Sequence, residues 1–118
     1  MGGMATAESY VLAIGTKKGL WLATSPDRKD WSLSGPHFLM SEVPSIGIDT
    51  RDGRTRILVG VRSEHWGPTV FHSDDLGETW SEPDEGAIRF PEGTDAALER
   101  VWQIHPDAES RPGVVWAG

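Results

Sequence analysis

The stretch Ser73-Asp74-Asp75-Leu76-Gly77-Glu78-Thr79-Trp80 constrains the fold more than any other part of the sequence. Thr69-Val70-Phe71-His72 runs into it as an extended segment, and Thr79-Trp80-Ser81 leaves it as the start of another. Between them the Asp75 carboxylate can accept hydrogen bonds from backbone N–H groups of a turn. Gly77 can take the positive φ that reverses the chain, while the Ser73 and Thr79 hydroxyls tie down its ends. Trp80 then has a large apolar ring to bury beside the turn. Ser73, Asp75, Gly77, Thr79 and Trp80 therefore read as a structural framework. Asp75 is expected to hold backbone rather than to do chemistry.

A second regularity is a repeated strand. Val11-Leu12-Ala13-Ile14-Gly15 returns as Ile57-Leu58-Val59-Gly60 and again as Val114-Val115-Trp116-Ala117-Gly118. Gly15 and Gly60 stand 45 residues apart and Trp31 and Trp80 stand 49 apart. The step from Gly60 to Gly118 is longer, 58 residues, because a Gly-, Pro- and acid-rich segment at 83–98 lies inside it. A β-rich repeat of about 40–50 residues is the signature of a propeller blade.

Around these anchors the chain alternates short apolar runs with turn signals. Tyr10 to Thr24 reads as a hairpin closed by Thr16-Lys17-Lys18-Gly19. Ser25-Pro26-Asp27-Arg28-Lys29-Asp30-Trp31 looks like a worn copy of the Ser73–Trp80 turn. Laying Trp31 on Trp80 sets Thr24 on Ser73 and Pro26 on Asp75. Trp31-Ser32-Leu33 predicts a short outer strand, followed by a crossover at 35–40. Residues 43–49 alternate as a half-buried strand does, and Asp52-Gly53-Arg54 marks a turn before the strand at 56–61. Residues 101–106 predict a further strand, and 94–99 a short helical turn.

The spacing of Ser73, Asp75, Gly77, Thr79 and Trp80 resembles the Asp box, or BNR repeat, of sialidase-like β-propellers, with every signature position filled. The resemblance covers nearly all of residues 10–118. It implies an all-β fold of antiparallel four-stranded blades in an incomplete ring. After a flexible leader at 1–8, residues 10–34 supply strands B to D of one blade, 43–82 a second blade, and 100–118 the start of a third. Two and a fraction blades leave open edges. The chain is thus expected either to be a piece of a longer protein or to close a ring by self-association.

The same resemblance puts the Asp box on the rim away from the ligand face and gathers the connections 16–19, 35–42, 62–68 and 83–99 on that face. The segment at 62–68 unites a cation, a carboxylate, an imidazole and an indole, so Arg62, Glu64, His65 and Trp66 are the candidate ligand-binding residues, for a glycan or protein ligand. Sialidases hold a substrate carboxylate with three arginines, the first in an Arg-Ile-Pro motif, and use a Tyr–Glu nucleophile. Here Arg56-Ile57-Leu58 lacks the proline, and Tyr10, the only tyrosine, lies in the first strand. No catalytic residue is assigned. The reading is a ligand-binding or scaffold module of the sialidase-like type. The alternative is the N-terminal part of an exo-sialidase-type glycoside hydrolase whose remaining site lies beyond Gly118.

Composition bounds the rest. A net charge of −7 with scattered basic residues argues against nucleic-acid binding. The absence of cysteine excludes disulfides and thiolate metal sites, and His37, His65, His72 and His105 lack metal-ligand spacing. No cofactor is implied. No apolar run is long enough for a membrane span and no signal peptide is visible, so a cytoplasmic location is expected.

Overall fold

A computed structural model describes residues 9–63, 67–82 and 88–118. Among these the chain is built from β-strands and turns, with one short 3-10 turn and no α-helix. The strands are β1 (Tyr10–Thr16), β2 (Gly19–Ser25), β3 (Ser32–His37), β4 (Glu42–Asp49), β5 (Arg56–Ser63), β6 (Gly67–Ser73), β7 (Ile104–Pro106) and β8 (Val115–Ala117). They form three antiparallel sheets in the orders β1-β2-β3, β4-β5-β6 and β7-β8. After Trp80 the fourth strand expected of residues 43–82 is reduced to one bridge. There His72 and Ser81 exchange two backbone hydrogen bonds of 2.9 Å.

The middle sheet is covered on both faces, which accounts for the unbroken apolar run of β5. Ile57, Val59 and Val61 alternate toward the first sheet and bury themselves with Leu20, Leu22 and Val43. Leu58 points the other way and packs with Val70, Val101 and Ile104 under the third sheet. The repeated glycine lies at a close approach to the neighbouring segment. A Cβ on Gly15 would sit 2.5 Å from the Val43 carbonyl oxygen, and one on Gly60 would meet Val101 and the Ser45 hydroxyl. No side chain fits there.

The third sheet has only three residues per strand, and a buried arginine secures it. Arg51 lies in the turn after β4 and forks onto Asp49, with Nη2–Oδ2 at 2.7 Å and Nε–Oδ1 at 2.8 Å. Its Nη1 donates to the carbonyls of Asp107, Arg111 and Val114 at 3.0–3.1 Å. One planar guanidinium thus ties the β7–β8 connection to the middle sheet. The sequence marks a turn here but gives no sign that Arg51 is its pivot.

Three further details depart from the sequence reading. The first turn copies the second through Ser25 and Asp27, not Thr24 and Pro26. Ser25 Oγ accepts from the Arg28 N–H at 2.8 Å, and Asp27 Oδ1 from the Lys29 and Asp30 N–H groups at 2.8 and 3.0 Å. The loop is one residue shorter than Ser73–Trp80, so alignment on the tryptophans slips the register. Strand β3 runs on to His37, past the glycine and proline taken as a crossover. Residues 94–99 form no helical turn; Thr94 instead donates its hydroxyl to the Pro91 carbonyl at 2.6 Å. The leader at 1–8 and residues 83–87 of the acidic segment lie outside the described residues.

Two substitutions test this packing. Ile57 is fully buried, so Ile57→Ala should lower unfolding free energy by about 2–5 kcal/mol. Gly15→Ala should cost about 1–3 kcal/mol by forcing the first two sheets apart. Urea titrations measure both, and a change within error of zero for Gly15→Ala would contradict the close approach.

Candidate functional site

The site is built where the strand connections meet. In the β1–β2 turn, Thr16 Oγ1 donates to the Gly19 carbonyl at 2.8 Å and accepts from the Lys18 N–H at 3.1 Å, leaving Lys17 exposed. The Lys18 carbonyl accepts from the Met40 N–H at 3.1 Å, which draws in the β3–β4 connection. Glu42 then opens β4, paired in register with Arg62 near the end of β5. Arg100, ahead of the third sheet, donates Nε to Glu42 Oε2 at 2.9 Å.

Lys17, Met40, Glu42, Arg62 and Arg100 line a cavity of about 210 Å³. Glu99 bridges two of these lining residues, its Oε1 taking Arg62 Nη2 at 2.9 Å and Arg100 Nη1 at 3.3 Å. Three cations therefore meet two carboxylates, a local excess of positive charge in a chain of net charge −7. Lys17 has no ion pair among the described residues. Beside this cavity lies another of about 230 Å³, with Phe38, Val61 and Phe71 as its apolar wall and Ser63 and Gly67 on its rim.

Of the residues singled out from the sequence, Arg62 lies at the cavity. Glu64, His65 and Trp66 lie outside the described residues. Lys17, Glu42, Glu99 and Arg100 were not singled out as candidates, yet the repeat contains a signal for most of them. Lys17 and Arg62 each stand two residues past the repeated glycine, and Glu42 and Arg100 each stand one residue before a buried valine, Val43 or Val101. The cavity is lined by two pairs of repeat-equivalent positions.

The Ser73–Trp80 turn lies at the other end of the middle sheet, about six residues or roughly 20 Å along β5 and β6. Ser73 is buried, and its Oγ accepts from the Gly77 N–H at 2.8 Å and donates to Asp75 Oδ1 at 2.7 Å. Asp75 accepts from the Thr79 hydroxyl at 2.5 Å and from its N–H at 2.9 Å. Those bonds, the Thr79 hydroxyl foremost, hold the Asp75 pKa down at about 2. Gly77 has φ 88° and packs on Leu22 and His37 of the first sheet. Trp80 meets Phe38 with ring centroids 4.9 Å apart.

Asp49 is likewise lowered to about 2, chiefly by its hydrogen bonds with Arg51 and against the opposing effect of burial. Asp74 is lowered by Arg56, and Asp27 by the backbone N–H groups of Asp30 and Lys29. These carboxylates are stabilised as anions. A glycosidase acid needs the opposite shift.

Compared with models of known families, with curated proteins and with solved structures, the chain matches none.

The two lowest carboxylates set the acid response. In the unfolded chain an aspartate titrates near 3.9, about two units above the folded values of Asp49 and Asp75. Their contribution to stability should be complete above about pH 4 and be lost as the pH falls toward about 2. Urea midpoints measured from pH 6 to pH 2 should fall in that window, and more gently for Asp49→Asn and Asp75→Asn. An unchanged slope in both variants would contradict the assignment.

Proposed function

We propose that the chain is a run of blades from a sialidase-like Asp-box β-propeller, acting as a ligand-binding module for an anionic glycan or an acidic protein segment. The observation that carries this reading is the convergence of Lys17, Arg62 and Arg100 on one polar cavity. Repeat-equivalent positions supply charge at the same end of successive sheets, and a propeller face is assembled in that way. Two supporting features are the Asp-box turns after β2 and β6, both at the opposite end from the cavity.

The stack also leaves apolar surface uncovered on its outer sheets. Leu12 and Ile14 of β1 are 50% and 40% exposed, and Trp116 of β8 is 58% exposed. Such faces are sheet surfaces awaiting further blades, either from additional chain or from other copies that close a ring. Light scattering on a sizing column separates these. A discrete assembly of about three chains supports closure by copies, since propellers hold 4–8 blades.

A second reading, part of an exo-sialidase-type hydrolase, is favoured by one observation. Arg62, near the end of β5, and Arg100, ahead of β7, both line one cavity. Hydrolysis of a fluorogenic sialoside, lost in Arg62→Ala, would support it.

Binding is the primary test. Arg62→Ala and Arg100→Ala should each weaken binding of an acidic sugar such as N-acetylneuraminate about tenfold or more, with a salt-dependent affinity. Asp75→Asn should leave the affinity within about twofold, because the Asp box lies roughly 20 Å away. Equal binding by all variants in calorimetric titration would refute the cavity as the site.

A further inference from the structure

We propose that Glu99 is a resident stand-in for a ligand's carboxylate: it marks where that group sits and competes with it. The inference rests on reading the cavity as an anion site and goes further, to the ligand's chemical class and to how its access is controlled.

The two acids at the cavity differ in every physical respect that matters here. Glu42 belongs to β4, its side chain is 21% exposed, and it bonds Arg100 Nε from a strand position fixed opposite Arg62. It holds Arg100 in place. Glu99 lies on a segment without strand or helix, and its side chain is 66% exposed. One of its oxygens bridges both guanidinium groups, at 2.9 and 3.3 Å. An exposed ion pair of this kind contributes little net stability and is easily exchanged.

With Glu99 turned out, three cations would face the single carboxylate of Glu42. A ligand carboxylate can take the same bridging position, since Glu99 already sets one carboxylate oxygen 2.9 Å from Arg62 Nη2 and 3.3 Å from Arg100 Nη1. Lys17, a more compact and strongly hydrated cation, lines the same cavity and supplies a further donor for a polar substituent. An arriving ligand must therefore outcompete a tethered carboxylate of high effective concentration, so the apparent affinity is reduced by the fraction of time Glu99 is bound. The ligand class is a monocarboxylate with polar substituents, such as an acidic sugar or an acidic side chain.

The test is titration of the chain with glucuronate, N-acetylneuraminate and neutral glucose by calorimetry, in wild type, Glu99→Gln, Glu99→Ala and Glu42→Gln. Both Glu99 variants should bind the two carboxylates about two- to fivefold more tightly than wild type and leave glucose unbound, the gain expected when an exposed pair of this strength is removed. Glu42→Gln should bind them no more tightly, since it frees no ligand position and loosens Arg100. Near-UV circular dichroism confirms that each variant keeps its fold. If wild type binds carboxylates and neither Glu99 variant binds them more tightly, the stand-in role is overturned while the anion site survives. If no form binds either carboxylate, both fall together.

Discussion

The close approach of neighbouring sheets at the repeated glycines fixes almost everything else in this chain. Gly15 lets β1 press against Val43, and Gly60 lets β5 press against Val101. Each contact is a glycine on one sheet facing a buried valine at the start of the next sheet or just ahead of it. Two residues beyond the glycine comes Lys17 or Arg62; one residue before the valine comes Glu42 or Arg100. Once glycine and valine are in register, the charged residues have to meet at the same end. The cavity is a geometric consequence of core packing, and its chemistry depends only on which charges the repeat carries at those positions.

At the opposite end most polar groups of the turns are hydrogen-bonded, although the buried Trp80 Nε1 has no partner among the described residues. Asp75 and Ser73 direct their hydrogen bonds into one turn, Asp27 and Ser25 do so in another, and Arg51 spends its donors on Asp49 and three carbonyls. Groups bonded in this way stabilise loops, and their carboxylates are pushed toward lower pKa, away from proton transfer. The cavity end is different. Lys17 has no ion pair among the described residues, and Glu99 holds its arginines from an exposed position. Saturated networks build structure, while exchangeable ones can take a ligand.

The sequence was most legible where local chemistry and burial agree. The Ser73–Trp80 turn forms with the partners its residue types require, because Asp, Gly and Ser act there through bonds within eight positions. The strands of the first two sheets follow their apolar alternation. The first turn was misaligned because a tryptophan is a poor ruler across a one-residue deletion. In the shorter loop Arg28 supplies a left-handed residue, φ 64°, in place of the pair Leu76 and Gly77. Arg51 and Glu99 were not legible at all. Their partners lie in distant segments or depend on the path of an irregular loop, and neither is encoded in a local period.

That division explains why the best motif in the chain is uninformative about activity. The carboxylate of Asp75 and the hydroxyls of Ser73 and Thr79 are engaged within those eight residues, leaving them little free valence for anything else. A ligand site of the kind proposed needs exchangeable groups converging from separate segments, and charged residues do converge here from the β1–β2 turn, the end of β5, the start of β4 and the approach to β7. Such convergence is invisible along the chain except through the repeat. The repeat carries it twice, at glycine plus two and valine minus one. In a stacked-sheet protein of this kind, converging charge is best sought at the positions flanking the packing contacts, not in the most recognisable turn.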